Sequence, residues 1–386
     1  MHGENNPGRG NGGGREAFKM NILYITNHLN IGGITSYCLT LATGLKNKGH
    51  KIYIASSGGV MLPEFIKQGI TYLPAPIKTK KEIGPKIAMC EFVLAPAIRR
   101  FDIDIIHSHS RTTQVLGALL SRHTGVPHIF TCHGFFKRRW LRRIFPCWGD
   151  KVIAISEQVK EHLIRDFGVD ENKINVIHNG IDADKFKITD LASSSESRKK
   201  IGLGNGPVVG IVARLSDVKG HKYLIEAMKD VLKEIPDAQL LVCGDGKEKN
   251  SLVKLADQLG ISKSVFFKPE AQGTSDVLSA MDVFVMPSLH EGLGLALMEA
   301  MAAGLPVIGS DIGGIKTLIE DGVTGLLVRP TDSQGLSRAI VMVLADRGRA
   351  ILLARNAYYF IRENFSQEKM VDETERLYRE CLKARE

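Results

Sequence analysis

The segment 281–328, MDVFVMPSLHEGLGLALMEAMAAGLPVIGSDIGGIKTLIEDGVTGLLV, leaves little choice of fold. Residues 282–286 form a short apolar run closed by Pro287, as expected of a strand buried on both faces of a parallel sheet. A loop over 288–293 follows, then a helix over 294–303 rich in Ala, Leu and Met. Gly304, Leu305 and Pro306 end that helix, and 306–309 begins another buried strand. Between these two strands lie two acids, Glu291 on the loop and Glu299 inside the helix, with seven residues between them. Gly292 and Gly294 sit at the helix mouth, beside Leu295, where free backbone N–H groups and the helix dipole favour an anion. The two carboxylates therefore flank a phosphate-sized space, roughly 10 Å apart at a helical rise of about 1.5 Å per residue. Ribose, diphosphate and sugar of a nucleotide sugar have that layout. An ordinary βα turn with two solvated acids is the competing reading, although Glu299 stands among Leu297, Met298, Ala300 and Met301, where an acid requires partners.

A chain of 386 residues that opens other βα units in the same way is expected to hold two α/β domains. The six cysteines are scattered without a CxxC pair, which argues for a reducing compartment and against a disulfide frame or zinc site. No apolar run approaches the length of about 18 residues needed to span a bilayer. Residues 1–19 are rich in Gly and Asn, lack the apolar core of a signal peptide, and read as a disordered tail. Charge is uneven: residues 1–190 carry 26 Lys+Arg against 16 Asp+Glu, whereas the remainder is nearly neutral. That excess suggests an anionic partner for the first half. Nucleic acid is the weakest candidate, because no aromatic-and-basic strand pattern or recognition motif accompanies the charge.

Along the chain, 21–26 (NILYIT) is a first strand, and Gly32 and Gly33 lie at the turn into a helix that ends near Gly49. This glycine pair is no GxGxxG fingerprint; it allows close approach to a phosphate, or serves a tight turn with no ligand. A strand over 104–107 places His107 and His109 on alternate positions of one face. Further metal ligands are not apparent beside them. Residues 129–132 form a strand tipped by His133 and Gly134, and 151–156 another, with Ser156 as a helix N-cap. The stretch 183–206, containing ASSSESRKK and GLGNGP, reads as a linker. VVGIVAR then opens a second domain, and Arg214 and Lys219 bracket a strand-to-helix turn containing Gly220. Two cations so placed can hold a diphosphate, Arg through its planar fork and Lys as a point charge, or can form a solvated surface.

Taken in order, these motifs closely resemble the retaining glycosyltransferases of family 4. EGLGLALMEAMAAGLPVIGSDIGGI matches their paired-glutamate donor signature, and Arg214 with Lys219–Gly220 matches their RxxxxKG pattern. The resemblance covers nearly all of the chain from Met20 onward. It implies the GT-B fold, two Rossmann-like domains facing each other across a cleft. The expected division is a tail over 1–19, an acceptor-side domain over 20–185, a linker over 186–206, a donor domain over 207–355, and terminal helices over 356–386 that cross back to the first domain. It further implies that Gly32 and Gly33 face the donor phosphates, that His109 faces the donor sugar, and that His133 and Gly134 line the acceptor side. Arg214, Lys219, Glu291 and His109 become the expected catalytic group, and Glu270 and Glu299 join the donor site. Pro269 departs from the glycine usual in relatives and offers no N–H to a nucleobase, which leaves base choice open.

The expected activity is sugar transfer, hexosyl or N-acetylhexosaminyl, from a nucleoside diphosphate sugar to a glycan or lipid-linked acceptor. The anomeric configuration is retained and the setting is cell-envelope polysaccharide or glycolipid synthesis. No Asp-x-Asp pair of the metal-binding glycosyltransferase type is read, so neither metal nor cofactor is expected. A nucleotide-sugar epimerase of the same fold and an inactive sugar-nucleotide-binding module are the alternatives. Residues 136–145, FKRRWLRRIF, place Phe136, Trp140, Leu141, Ile144 and Phe145 on one half of a helical wheel and Arg138, Arg139, Arg142 and Arg143 on the other. A helix of that kind suits an anionic bilayer surface, so a peripheral enzyme on the inner face of the cytoplasmic membrane is expected. The competing reading is a helix packed on its own domain with a solvated basic face.

Overall fold

The computed structural model describes residues 18–77, 84–138, 142, 146–186, 191–269 and 275–385 (for 191–193, the backbone). Two wholly parallel sheets organise them. The first contains β1 (Asn21–Ile25), β2 (Lys51–Ser56), β3 (Thr71–Pro74), β4 (Ile105–Ser108), β5 (His128–Cys132), β6 (Lys151–Ala154) and β7 (Ile174–Val176), in the order β3-β2-β1-β4-β5-β6-β7. The second contains β8 (Val208–Val212), β9 (Gln239–Cys243), β10 (Val265–Lys268), β11 (Val283–Met286), β12 (Val307–Ser310) and β13 (Leu326–Val328), in the order β10-β9-β8-β11-β12-β13. This is the α/β architecture of the GT-B fold, two Rossmann-like domains.

Helices cover both faces of each sheet, which explains why the strands read as unbroken apolar runs. Ile22, Leu23, Tyr24 and Ile25 are all fully buried, and β1 pairs in register with both β2 (Ile22↔Ile52) and β4 (Ile22↔Ile105). In each sheet the chain order reverses beside the first strand: β1 lies between β2 and β4, and β8 between β9 and β11. Open α/β sheets bind ligands beyond the carboxyl ends of the strands at such a reversal. One apolar cluster is continuous between the sheets, running from Phe130, Trp148 and Val159 to Phe284, Leu297 and Met298.

The end of the chain joins the two sheets. Helix Arg347–Asn364 packs on helix Leu295–Ala302. The chain then turns at Phe365 and Ser366, where the Ile181 N–H donates to the Phe365 carbonyl (2.9 Å) and the Gln367 N–H to the Ile181 carbonyl (3.0 Å). Gly180 lets this crossing approach, since a Cβ there would lie 2.5 Å from the Ser366 carbonyl oxygen. Helix Gln367–Lys383 then lies along helix Gly33–Asn47. Lys48 holds Glu375 (2.6 Å), the Gln367 amide donates to the Thr40 carbonyl (2.7 Å), and Arg385 pairs with Asp150 (2.8 Å).

Two segment boundaries differ from the sequence reading. The expected linker contains helix Leu191–Ile201, docked on the second sheet by Arg198, which donates to the Ala280 carbonyl (3.0 Å) and Asp282 (2.7 Å). Its serines suggested a loop, but Leu, Ala, Glu, Arg and Lys at the remaining positions form helix once tertiary contacts hold it. The boundary at 355 falls inside helix Arg347–Asn364, and the actual break is at Phe365–Ser366.

Candidate functional site

The sequence candidates gather at the carboxyl ends of strands flanking the two reversals. Gly32 and Gly33 follow β1, His109 follows β4, Arg214 and Lys219 follow β8, and Glu291 follows β11. In the second domain, the turn Asp217–Lys219 leads through Gly220 into helix His221–Glu234. Gly220 has φ 71°, and a Cβ there would stand 1.8 Å from the Pro287 carbonyl oxygen, so both conformation and space demand glycine. The loops after β8 and β11 are thereby pressed together, and the Leu289 N–H donates to the Val218 carbonyl (2.8 Å). That contact brings Lys219 Nζ to 2.5 Å from the Glu291 carboxylate, with side chains only 20 and 14 % exposed. The sequence reading gave these two residues separate partners; the structure brings them to each other.

Arg214 is exposed, and none of the described residues pairs with its guanidinium. Gly294 takes φ 101° to enter helix Leu295–Ala302, whose first turn has no acidic residue and no side-chain cap. Glu299 is half-buried in that helix. Glu270 lies outside the described residues. A second glycine pair, missed as a site feature, completes this floor. The Gly314 N–H donates to the Glu291 carbonyl (3.3 Å), and a Cβ on Gly314 would meet the Gly292 carbonyl oxygen at 2.2 Å.

The first domain reaches the same loop directly. Ser156 Oγ donates to the Gly292 carbonyl (2.8 Å), and a Cβ on Gly292 would lie 2.9 Å from the His133 carbonyl oxygen and 3.2 Å from Gly134 Cα. His133 and Gly134 therefore border the Glu291–Gly294 loop. Gly32 and Gly33 present open backbone: no atom lies within 4 Å of a Cβ built on either, and the helix they begin has no side-chain cap. Behind them lies a buried aromatic cluster. His109 is 1 % exposed, its ring centroid is 4.2 Å from that of His107, and its Nδ1 is 3.4 Å from His133 Nε2. Burial pushes His133 down to about 3 and holds His107 and His109 well below the usual imidazole range, so all three are neutral near pH 7. Tyr37 and Tyr378 complete the cluster; a tyrosine near the chain's end carries no local signal for this role.

After Gly134 the chain is fastened to helix Glu157–Phe167. The Phe136 N–H donates to His162 Nε2 (2.9 Å), so His162 Nδ1 carries the proton shared with Asp166 (2.7 Å). Arg138 also bonds Asp166, and this pairing holds the Asp166 carboxyl down to about 2. Of the expected basic amphipathic segment, 139–141 and 143–145 lie outside the described residues. Arg142 corrects that reading: it is buried rather than solvated, with its guanidinium 5.4 Å from the Phe136 ring centroid and donating to the Lys137 carbonyl (2.7 Å). A planar, weakly hydrated cation is suited to such stacking.

Two Asp-x-Asp pairs do occur in the sequence. The Asp104 carboxylate accepts from the Asn21 N–H (2.7 Å) just before β4, at the amino ends of the strands and so opposite the site. Asp182 pairs with Lys185 (3.2 Å) and Asp184 with Arg362 (3.4 Å). Among the described residues, His, Cys, Asp and Glu form no group of three able to hold a metal.

Comparison with known proteins gives the family and the fold. Residues 193–360 match the model for glycosyl transferases group 1, and residues 31–185 the model for Glycosyltransferase Family 4. An uncharacterized glycosyltransferase of Methanocaldococcus jannaschii is 30 % identical over 90 % of this chain and 94 % of its own. The Escherichia coli UDP-Gal:alpha-D-GlcNAc-diphosphoundecaprenol alpha-1,3-galactosyltransferase is 33 % identical over 73 % of this chain and 76 % of its own. Among solved structures, Anabaena HepE in complex with UDP-glucose superposes with TM-score 0.84 at 23 % identity, over 94 % of this chain and all of that one. The chain belongs to the glycosyltransferases of group 1, with the GT-B fold.

Proposed function

We propose that this glycosyltransferase moves a hexosyl or N-acetylhexosaminyl group, with retention and without a metal, from a nucleoside diphosphate sugar to a hydroxyl of a lipid-linked or envelope-glycan acceptor. The observation that carries the reading is the Lys219–Glu291 contact at the open mouth of helix Leu295–Ala302. A shielded ammonium held by a carboxylate beside free backbone N–H groups is poised for exchange. An entering diphosphate takes Lys219, and the released Glu291 carboxylate accepts from sugar hydroxyls. Arg214, solvent-facing at the same turn, supplies a second cation to the β-phosphate as the anomeric C–O bond breaks. The acceptor oxygen forms the new bond on the same face, and its proton passes to the departing phosphate oxygen. Glu299 holds the ribose, His109 meets the sugar from the first domain, and His133 and Gly134 border the acceptor.

The same charges support metal independence, since two cations and a helix terminus can neutralise what a divalent ion otherwise would. The name of the Escherichia coli relative gives a UDP-hexose donor and a polyprenyl-diphosphate acceptor, which we take as the first pair to try here. An anionic membrane surface suits that acceptor. No helix of the described residues is long and apolar enough to cross a bilayer. Helix Pro85–Arg100 does expose Lys86, Met89, Phe92, Val93, Arg99 and Arg100 on a face without an exposed acid, Phe92 being 82 % accessible. Apolar side chains flanked by cations fit an anionic interface at the inner face of the cytoplasmic membrane.

The test is a transfer assay with a panel of nucleoside diphosphate hexoses, a polyprenyl-diphosphate sugar acceptor and EDTA, with the linkage read by NMR. Transfer with the donor's anomeric configuration is expected. Loss on chelation restored by Mg²⁺ or Mn²⁺, or an inverted linkage, contradicts the reading. An epimerised donor without transfer favours the epimerase alternative.

A further inference from the structure

The buried cluster behind His109 contains a contact from the far end of the chain. Tyr378, fully buried on helix Gln367–Lys383, places its hydroxyl 2.6 Å from His107 Nδ1, while His107 Nε2 is 2.7 Å from Thr131 Oγ1. Both nitrogens of the neutral His107 ring are thus satisfied, one giving its proton and one receiving a hydroxyl proton. That ring is clamped at both ends, and its face lies against His109. Tyr24 touches both imidazoles edge-on, with centroids 5.4 Å from His107 and 5.1 Å from His109, and its hydroxyl is 3.5 Å from that of Tyr378. Tyr37 packs against His109 and His133 from helix Gly33–Asn47, the helix on which the last helix lies.

His109 contrasts with its neighbour. Its Nε2 is buried and has no hydrogen-bond partner among the described residues. A buried polar atom left unpaired costs free energy, so it is kept where a ligand completes it. The position of that atom is set by the fixed ring behind it, and the fixed ring is held by Tyr378.

We propose that Tyr378 is a positioning residue for sugar transfer, fixing the His107 ring and through it the placement of His109 toward the donor sugar. This rests on the reading of His109 as a donor contact. The consequence is that the terminal helix does more than close the fold. Helix Arg347–Asn364 packs on helix Leu295–Ala302 in the second domain, and the chain then crosses at Phe365–Gln367 so that the terminal helix sets a side chain in the first.

The test pairs a donor-independent measurement with kinetics. In Tyr378→Phe the ring remains and only the hydroxyl is lost, and Thr131→Val removes the other clamp. With ¹⁵N-labelled histidine, both variants are expected to shift the His107 and His109 imidazole resonances while the thermal transition remains cooperative. Unchanged His109 resonances in both variants overturn the inference whatever the activity. With the donor the parent turns over, Tyr378→Phe is expected to lower kcat about tenfold with donor KM within about twofold. On the His109→Ala background it should cost nothing further, because residues acting as a unit are not additive. Multiplicative losses in the double variant also overturn it. Parent-like turnover by His109→Ala instead rejects His109 as a donor contact, while the resonance shifts still report the Tyr378–His107–His109 coupling.

Discussion

The two halves of the site are built in opposite ways. The second-domain half is two short loops, 213–220 and 287–294, joined by two backbone hydrogen bonds to the Val218 carbonyl, with a shielded Lys219–Glu291 pair and an exposed Arg214. The first-domain half is backed by a cluster of buried Tyr24, Tyr37, His107, His109 and Tyr378 with the half-buried His133, tyrosines and neutral histidines instead of ions. In the proposed reading, charges that exchange partners with a diphosphate sit on loops that the ligand can reach. A hydrogen bond that must be aimed needs a rigid, dry backing.

If that contrast is right, substitutions in the two halves should fail differently. Lys219→Ala and Arg214→Ala should each lower kcat/KM about a hundredfold, on the order of 3 kcal/mol, with a nearly unchanged unfolding midpoint. Turnover within threefold of the parent for both breaks the assignment. Gly220→Ala should act through the backbone, destabilising by roughly 3 kcal/mol, since left-handed strain adds to a Cβ lodged against the Pro287 carbonyl. A parent-like urea midpoint would show the loops to be less tightly pressed than described.

The buried half should reveal itself by pH. Burial lowers His133 to about 3 and His128 to about 4, and holds His107 and His109 low, against about 6.5 in the unfolded chain. The unfolded chain therefore gains protons first as pH falls, and stability declines below about 6.5, before most carboxylates titrate. The urea midpoint should be lower at pH 5 than at pH 7.5, and His133→Gln should flatten the difference. A flat profile in the parent contradicts the burial. The smallest effect concerns the surface: Phe92→Ser with Lys86→Ser should reduce flotation with anionic vesicles several-fold at low salt, each cation being worth about 1 kcal/mol. Equal flotation removes helix Pro85–Arg100 from the membrane proposal.

Legibility in the sequence follows the same division. Short apolar runs ended by Gly or Pro located strands such as β9 and β11, because burial on both faces imposes that pattern. The places of Arg214, Lys219, Glu291 and the helix-mouth glycines on their loops are readable because each loop is contiguous and follows a strand with a clear apolar signal. The Lys219–Glu291 contact was not readable, since it depends on Gly220 fitting under Pro287, 67 positions away. The environment of His107 and His109 depends on Tyr378, some 270 residues distant, and no period or spacing encodes that distance. A helical wheel assigns Arg142 to a solvated face because it separates charged from apolar side chains and takes no account of a guanidinium stacked on Phe136.

Everything proposed for the site depends on the two loops of the second domain holding a nucleoside diphosphate. Thermal unfolding in the presence of UDP, GDP, ADP and TDP tests it without any acceptor. At a concentration 100 times its dissociation constant, one of them should stabilise the parent by about 2.7 kcal/mol. That stabilisation should persist in EDTA and disappear in the Arg214→Ala, Lys219→Ala double variant. No stabilisation by any of the four, or equal stabilisation of parent and double variant, would contradict the account.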